Sequence, residues 1–218
     1  GTVSVGAGGG RRNVTESYAD HPDKNAAALA AITRAAIEHL TALRAIPNLL
    51  VFRPADAMET AECWELAMEA KQPSILALSR QNLPAVRDQY SAENKAAKGA
   101  YTLVGPDNAD AVIFASGSEV AIAVEAQKAL SEKGISARVV SVPSMELFAQ
   151  QSDAYKAEVI GTPKARVAVE AGIEMSWNKL LGEKGKFVGM HSFGASGPID
   201  ALYEHFGITS KAVVEAVT

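Results

Sequence analysis

The chain of 218 residues contains a single cysteine, Cys63, so it has no means of forming an internal disulfide. A reducing cytoplasm is the simplest setting for such a chain. No apolar run approaches the roughly 18 residues that a membrane helix needs, so no membrane association is expected. The N-terminus is glycine-rich and lacks the apolar segment of a signal peptide. There is no excess of basic charge: 21 Lys and Arg stand against 25 Asp and Glu. Nucleic acid binding, which favours a clustered basic surface, is not expected. The four histidines, His21, His39, His191 and His205, are scattered without metal-ligand spacing, which argues against a zinc site. No serine lies in a nucleophile elbow. No Gly-x-Gly-x-x-Gly pattern is present, and there is no internal repeat.

What is present is a regular alternation. The composition, 48% hydrophobic and 21% charged, is that of an ordinary soluble protein with room for one large or two small domains. Residues 1–13, with Gly8-Gly9-Gly10 and then Arg11-Arg12, read as a flexible arm; Thr2 to Val5 is a poor strand. Residues 25–44 form an alanine-rich helix with Leu29, Ile32, Ala36, Leu40 and Leu43 on one stripe. Leu49 to Phe52 reads as a strand. Asp56 and Glu59 are spaced as a capping box for a helix through about Ala70. Pro73 to Ala77 reads as a buried strand, and residues 84–100 as a linker. Strands are expected at Ala111–Ala115, Ala137–Val142, Ala165–Glu170 and Phe187–Met190. Helices are expected from Glu119 to about Lys133, from Met145 to Val159 in two pieces, from Glu174 to Leu181, and at 199–206 and 210–217. Strands alternating with helices imply an α/β fold: a mostly parallel sheet covered on both faces.

Several residues stand where chemistry could occur. Arg80, in Leu78-Ser79-Arg80-Gln81-Asn82-Leu83, sits just past the carboxyl end of a strand. That edge is where open α/β sheets bind ligands, and a guanidinium matches a phosphate or carboxylate. Gly117-Ser118-Glu119 follows a strand, but Glu119 would repel a phosphate. Ser116 and Glu119 are spaced as a capping box, so the expectation is a tight turn with a cap. Glu170 ends another strand, either as a general acid or base or as a cap for the next helix; the cap is favoured. His191 lies in a glycine-rich loop without an identifiable partner. Cys63, beside Trp64 in a helical pattern, reads as a packed thiol rather than a nucleophile.

Leu43-Arg44-Ala45-Ile46-Pro47-Asn48, Phe52-Arg53-Pro54-Ala55-Asp56 and the Ser79-Arg80-Gln81-Asn82 element, in this order and spacing, resemble the end of the pyrimidine-binding domain of transketolase. Ala115-Ser116-Gly117-Ser118-Glu119-Val120, Val139-Val140-Ser141-Val142-Pro143-Ser144, Val167-Ala168-Val169-Glu170-Ala171-Gly172 and Gly189-Met190-His191-Ser192-Phe193-Gly194-Ala195-Ser196 resemble its C-terminal domain. The resemblance implies three regions. Residues 1–37 form a non-family arm and helix. Residues 38–100 form a partial pyrimidine-binding unit, and residues 101–218 a complete C-terminal domain with three α/β/α layers around a mostly parallel sheet.

It also implies a function: transfer of a two-carbon ketol unit from a ketose phosphate to an aldose phosphate. Thiamine diphosphate, with Mg2+ or Ca2+, does the covalent work in the family. By this analogy Arg80 holds the substrate phosphate. The family's Gly-Asp-Gly metal motif is absent from these residues, and Ala30 and Arg34 stand where the family has a substrate-contacting aspartate and histidine. The chain is therefore expected to be a C-terminal portion, inactive by itself. It is expected to bind neither cofactor nor metal alone and to contribute no catalytic residue. It would act as a homodimer or in association with the missing N-terminal portion. The competing reading is a non-catalytic assembly or effector-binding α/β module.

Overall fold

A computed structural model describes residues 2–5, 14–17, 39–87, 91–192, 194–195 and 197–218. The glycine stretch at 6–13 and most of the expected helix at 25–44 lie outside the described residues. Of that helix, α1 (Leu40–Arg44) is described. Near the N-terminus β1 (Thr2–Val5) pairs antiparallel with β2 (Val14–Ser17), so the segment read as a poor strand is extended and paired.

The next unit is a two-stranded parallel sheet. β3 (Leu50–Phe52) pairs with β4 (Ser74–Leu76), with α2 (Ala57–Glu69) as the crossover. Side chains of β3 alternate between faces, as the pleat requires. Leu50 and Phe52 pack with Cys63 of α2, while Val51 packs with Leu40 and Leu49. Asp56 caps α2 by accepting from the Glu59 amide at 2.8 Å, as the sequence spacing predicts. β4 is only half-buried, whereas its apolar run predicts full burial. Among the described residues its one strand partner is β3, and α2 covers the face shared with Leu76.

A five-stranded sheet forms the rest. β5 (Tyr101–Val104), β6 (Ala111–Ala115), β7 (Ala137–Ser141), β8 (Ala165–Glu170) and β9 (Lys186–Gly189) lie in the order β5-β7-β6-β8-β9. All pairings are parallel except that of β5 on β7. Strand β5, with its polar Thr102, was not marked by the sequence pattern; it is an antiparallel edge. The helices are α3 (Glu119–Glu132), α4 (Met145–Ala149), α5 (Asp153–Ile160), α6 (Asn178–Leu181), α7 (Ile199–Phe206) and α8 (Ser210–Val217).

All five residues of the central strand β6 are buried, and they face opposite sides of the sheet in turn. Ala111, Ile113 and Ala115 of β6 face α3 and α8, with Leu130, Val213 and Val214. Val112 and Phe114 face the other side, with Phe148, Val159, Trp177 and Leu181. The result is the expected three-layer α/β/α arrangement. The expected helix at 174–181 is a 3-10 turn, Glu174–Trp177, that continues into α6. Residues 84–100 are more than a linker. The Asp56 carboxylate accepts from the Val86 and Arg87 amides, and a second 3-10 turn, Lys95–Lys98, packs Ala96 under α2.

The two units share a closed boundary. The outer edge of β3 is satisfied by the second unit: the Val51 amide donates to Glu146 and the Arg53 amide to the Pro143 carbonyl at 2.8 Å.

Candidate functional site

Two arginines leave the carboxyl edge of the β3–β4 sheet and meet different fates. Arg80, four residues past β4, is exposed. It forms no ion pair among the described residues. Nor does it form a hydrogen bond among the described residues.

Arg53, one residue past β3, is buried at 7% exposure. It crosses into the five-stranded unit. Its Nη1 lies 2.5 Å from Glu119 Oε2, donates to the Ser116 carbonyl at 2.6 Å, and is 3.7 Å from Glu170 Oε1. Arg44, from the end of α1, completes the cluster. Its two terminal nitrogens donate to the two oxygens of Glu170, both at 2.8 Å. This parallel fork is the strongest geometry open to a guanidinium and a carboxylate.

Both carboxylates are fully buried and held from behind. Glu170 accepts from the Ser116 hydroxyl at 2.5 Å and from the Trp177 indole at 2.8 Å. Glu119 accepts from the Ala171 amide at 3.0 Å and from the Ser118 and Tyr203 hydroxyls. Burial by itself would raise the Glu170 carboxyl. The Arg44 charge and hydrogen bonds, helped by Arg53 and Ser116, outweigh it and hold the group down at about 2. Burial would likewise lower the Arg53 guanidinium, but the charges of Glu119 and Glu170 keep it above its ordinary value.

These contacts correct two readings made from the sequence. Ser116 does not cap α3. The helix begins at Glu119 without a side-chain cap, and Ser116 donates to Glu170 instead. Glu170 does not cap a helix; it is the centre of a buried ion network. A charged partner distant in sequence outcompetes a local backbone amide because it neutralises a carboxylate that would otherwise be buried bare. Arg44, Arg53, Trp177 and Tyr203 were not singled out from spacing. The available signal was two arginines following short apolar segments, one glutamate ending a strand and one opening a helix, which balance in charge once the fold brings them together.

A second buried acid lies between the units. Glu59 accepts from the Ala55 amide, from the Tyr101 hydroxyl at 2.9 Å and from the Ser141 hydroxyl at 2.7 Å. Among the described residues no cation bonds to it. Burial, above its hydrogen bonds, raises its carboxyl. Burial also pushes the nearby Cys63 thiol up, which suits a packed group. His191 is exposed, and His39 and His205 lie on separate elements. Among the described residues no three His, Cys, Asp or Glu side chains are grouped to hold a metal ion. No helix among them is long and apolar enough to cross a membrane.

Comparison with known proteins fits this layout. The model described as "Transketolase, pyrimidine binding domain" matches residues 25–86, and "Transketolase-like TK C-terminal domain" matches residues 99–209. The transketolase of Cereibacter sphaeroides is 50% identical over 185 residues, which is 84% of this chain and 28% of that protein. The chloroplastic transketolase of Solanum tuberosum is 46% identical over 191 residues, 84% of this chain and 25% of its own length. The solved transketolase of Leishmania mexicana superposes with a TM-score of 0.74 at 42% identity, covering 83% of this chain and 27% of that one. A structure titled "Split gene transketolase, inactive beta4 tetramer" gives 0.68 at 29% identity, with 83% and 60% covered. The chain thus spans little more than a quarter of the curated relatives it matches. With both domain models matched in order and the fold shared, the chain belongs to the transketolase family.

Proposed function

We propose that this chain supplies the substrate-phosphate edge and the C-terminal unit of an enzyme that moves a two-carbon ketol group between sugar phosphates. The observation that carries the proposal is Arg80: exposed, unpaired among the described residues, and set at the carboxyl edge of a parallel sheet in a Ser-Arg-Gln-Asn segment. A guanidinium fixed there would orient the sugar phosphate and hold its reacting carbon in register, lowering the entropic cost of the encounter.

Thiamine diphosphate, when bound, supplies the carbanion chemistry of the family. The described residues do not fit it as a complete site. The buried carboxylates Glu59, Glu119 and Glu170 are all engaged by donors of this chain. All three are fully buried, so none presents an oxygen at the surface to a Mg2+ or Ca2+ diphosphate. The proposal therefore assigns cofactor and metal to family segments beyond these residues. A homodimer, or association with a polypeptide carrying those segments, would complete the site in the cytoplasm. We take the boundary between the two units to fall near residue 100.

The test is Arg80→Ala in the assembled enzyme. KM for a phosphorylated acceptor should rise by the equivalent of about 1.5–3 kcal/mol, the usual worth of a charge-assisted hydrogen bond. An unphosphorylated acceptor should show no change. An unaltered KM for the phosphorylated acceptor removes Arg80 from the site.

A further inference from the structure

The strand order β5-β7-β6-β8-β9 contains a reversal. From β6 the chain leaves towards β7, and from β8 towards β9. Between the carboxyl ends of β6 and β8 the two connections diverge and open a crevice, the place where open parallel sheets bind ligands. In this protein the crevice is walled by Ser116, Gly117 and Glu119 on one side and by Glu170 and Ala171 on the other. It is filled by side chains of the preceding unit, namely the guanidinium groups of Arg44 and Arg53.

We infer that the C-terminal unit carries a guanidinium-binding socket at this switch point, occupied in cis by Arg44 and Arg53. The crevice in which a sheet of this kind would hold a small-molecule effector serves instead to dock the phosphate-reading unit.

Four features select this ligand class. The walls offer acceptors to the occupant: both oxygens of Glu170, Oε2 of Glu119 and the Ser116 carbonyl. An anion drawn to the start of α3 would meet Glu119. The carboxylates are aimed by donors behind them, Trp177, Tyr203, the Ala171 amide and the Ser116 hydroxyl, so the acceptors are fixed before the guanidinium arrives. Room is left for a flat group. Gly117 has φ +59, and a Cβ there would lie 2.8 Å from the Arg53 guanidinium carbon. Finally, the backbone joins in: the Gly117 amide donates to the Arg53 carbonyl at 2.9 Å. An ammonium is a compact point charge and cannot make the parallel two-bond contact that Arg44 makes with Glu170.

The socket can be emptied and refilled. Arg44→Ala in the full chain should lower Tm. Millimolar methylguanidinium, far below denaturing concentrations, should then raise Tm saturably, because a ligand that binds only the folded state stabilises it. Methylammonium at the same concentration should not. Wild type should show no such rise, since its socket is full, and the Arg44→Ala/Glu170→Gln double variant should show none, since one wall has lost its charge. If Arg44→Ala does not fold unaided, its refolding yield in methylguanidinium against methylammonium gives the same comparison. The inference is overturned if neither Tm nor refolding yield of Arg44→Ala distinguishes the two cations, or if wild type responds as the variant does.

Discussion

The boundary between the two units holds two buried acid clusters, and they solve the same problem differently. Glu170 and Glu119 are met by two guanidinium groups, so charge is balanced inside the protein. Glu59 is met by an amide and two hydroxyls, and among the described residues no cation bonds to it. The carboxyl pKa values move in opposite directions as a result: Glu170 falls to about 2, while burial raises Glu59. The lesson is that burial alone does not set the behaviour of an acid; the charge of its donors does.

The partners also differ in how they tolerate change. Hydroxyls can turn and become acceptors, whereas guanidinium and indole N–H groups only donate. Glu170→Gln should therefore be the most damaging substitution. It sets an amide NH2 against donors and leaves a buried guanidinium uncompensated, at a cost of about 3–5 kcal/mol, read by urea unfolding. Trp177→Phe keeps the apolar packing of a fully buried ring but removes the indole bond to Glu170. It should cost about 1.5–3 kcal/mol, the range for hydrogen bonds to charged groups. Glu59→Gln should cost least, about 1 kcal/mol, because Tyr101 and Ser141 can reverse their hydroxyls. Equal losses for the two glutamine variants would break the comparison.

Glycine sharpens it further. Gly117 and Gly134 both have left-handed φ, +59 and +73, but nothing lies within 4 Å of a Cβ at Gly134, whereas one at Gly117 meets the Arg53 guanidinium. Gly134→Ala should cost only the backbone strain, about 1–3 kcal/mol. Gly117→Ala should cost more, and the difference should shrink in an Arg53→Ala background. The pH response separates the two acids as well. Glu170, depressed when folded, contributes stability that is complete above its ordinary value of 4.5 and is lost as pH falls through about 2. Glu59, raised when folded, contributes stability below 4.5 that is lost as pH rises through its elevated value. Glu59→Gln should remove the second decline and leave the first.

The local elements of this fold were legible because they are written locally. The apolar run of β6, the strand at β8, the Asp56 cap, and the boundaries of α7 and α8 follow from local sequence alone. Strand β5 was hidden because Tyr101-Thr102-Leu103-Val104 packs as an edge with one mate and shows no strong pattern. The candidate site divides in the same way. Arg80 was visible because its position past a strand end is a local fact. The Arg44–Glu170 pair, separated by 126 residues, was not, because only the tertiary fold brings α1 to the end of β8. Glu170 was misread as a cap for that reason. A capping partner lies within a few residues, and an ion partner can lie anywhere.

The most direct test of the central claim, that Arg44 and Arg53 dock in the C-terminal unit and bury Glu170 as an ion, is a carboxyl-carbon NMR titration of Glu170. Its signal should stay flat from neutrality down through the ordinary carboxylate range and move only near pH 2, and Arg44→Ala should shift the midpoint upwards. A wild-type midpoint near 4.5, unmoved by that substitution, would contradict the account.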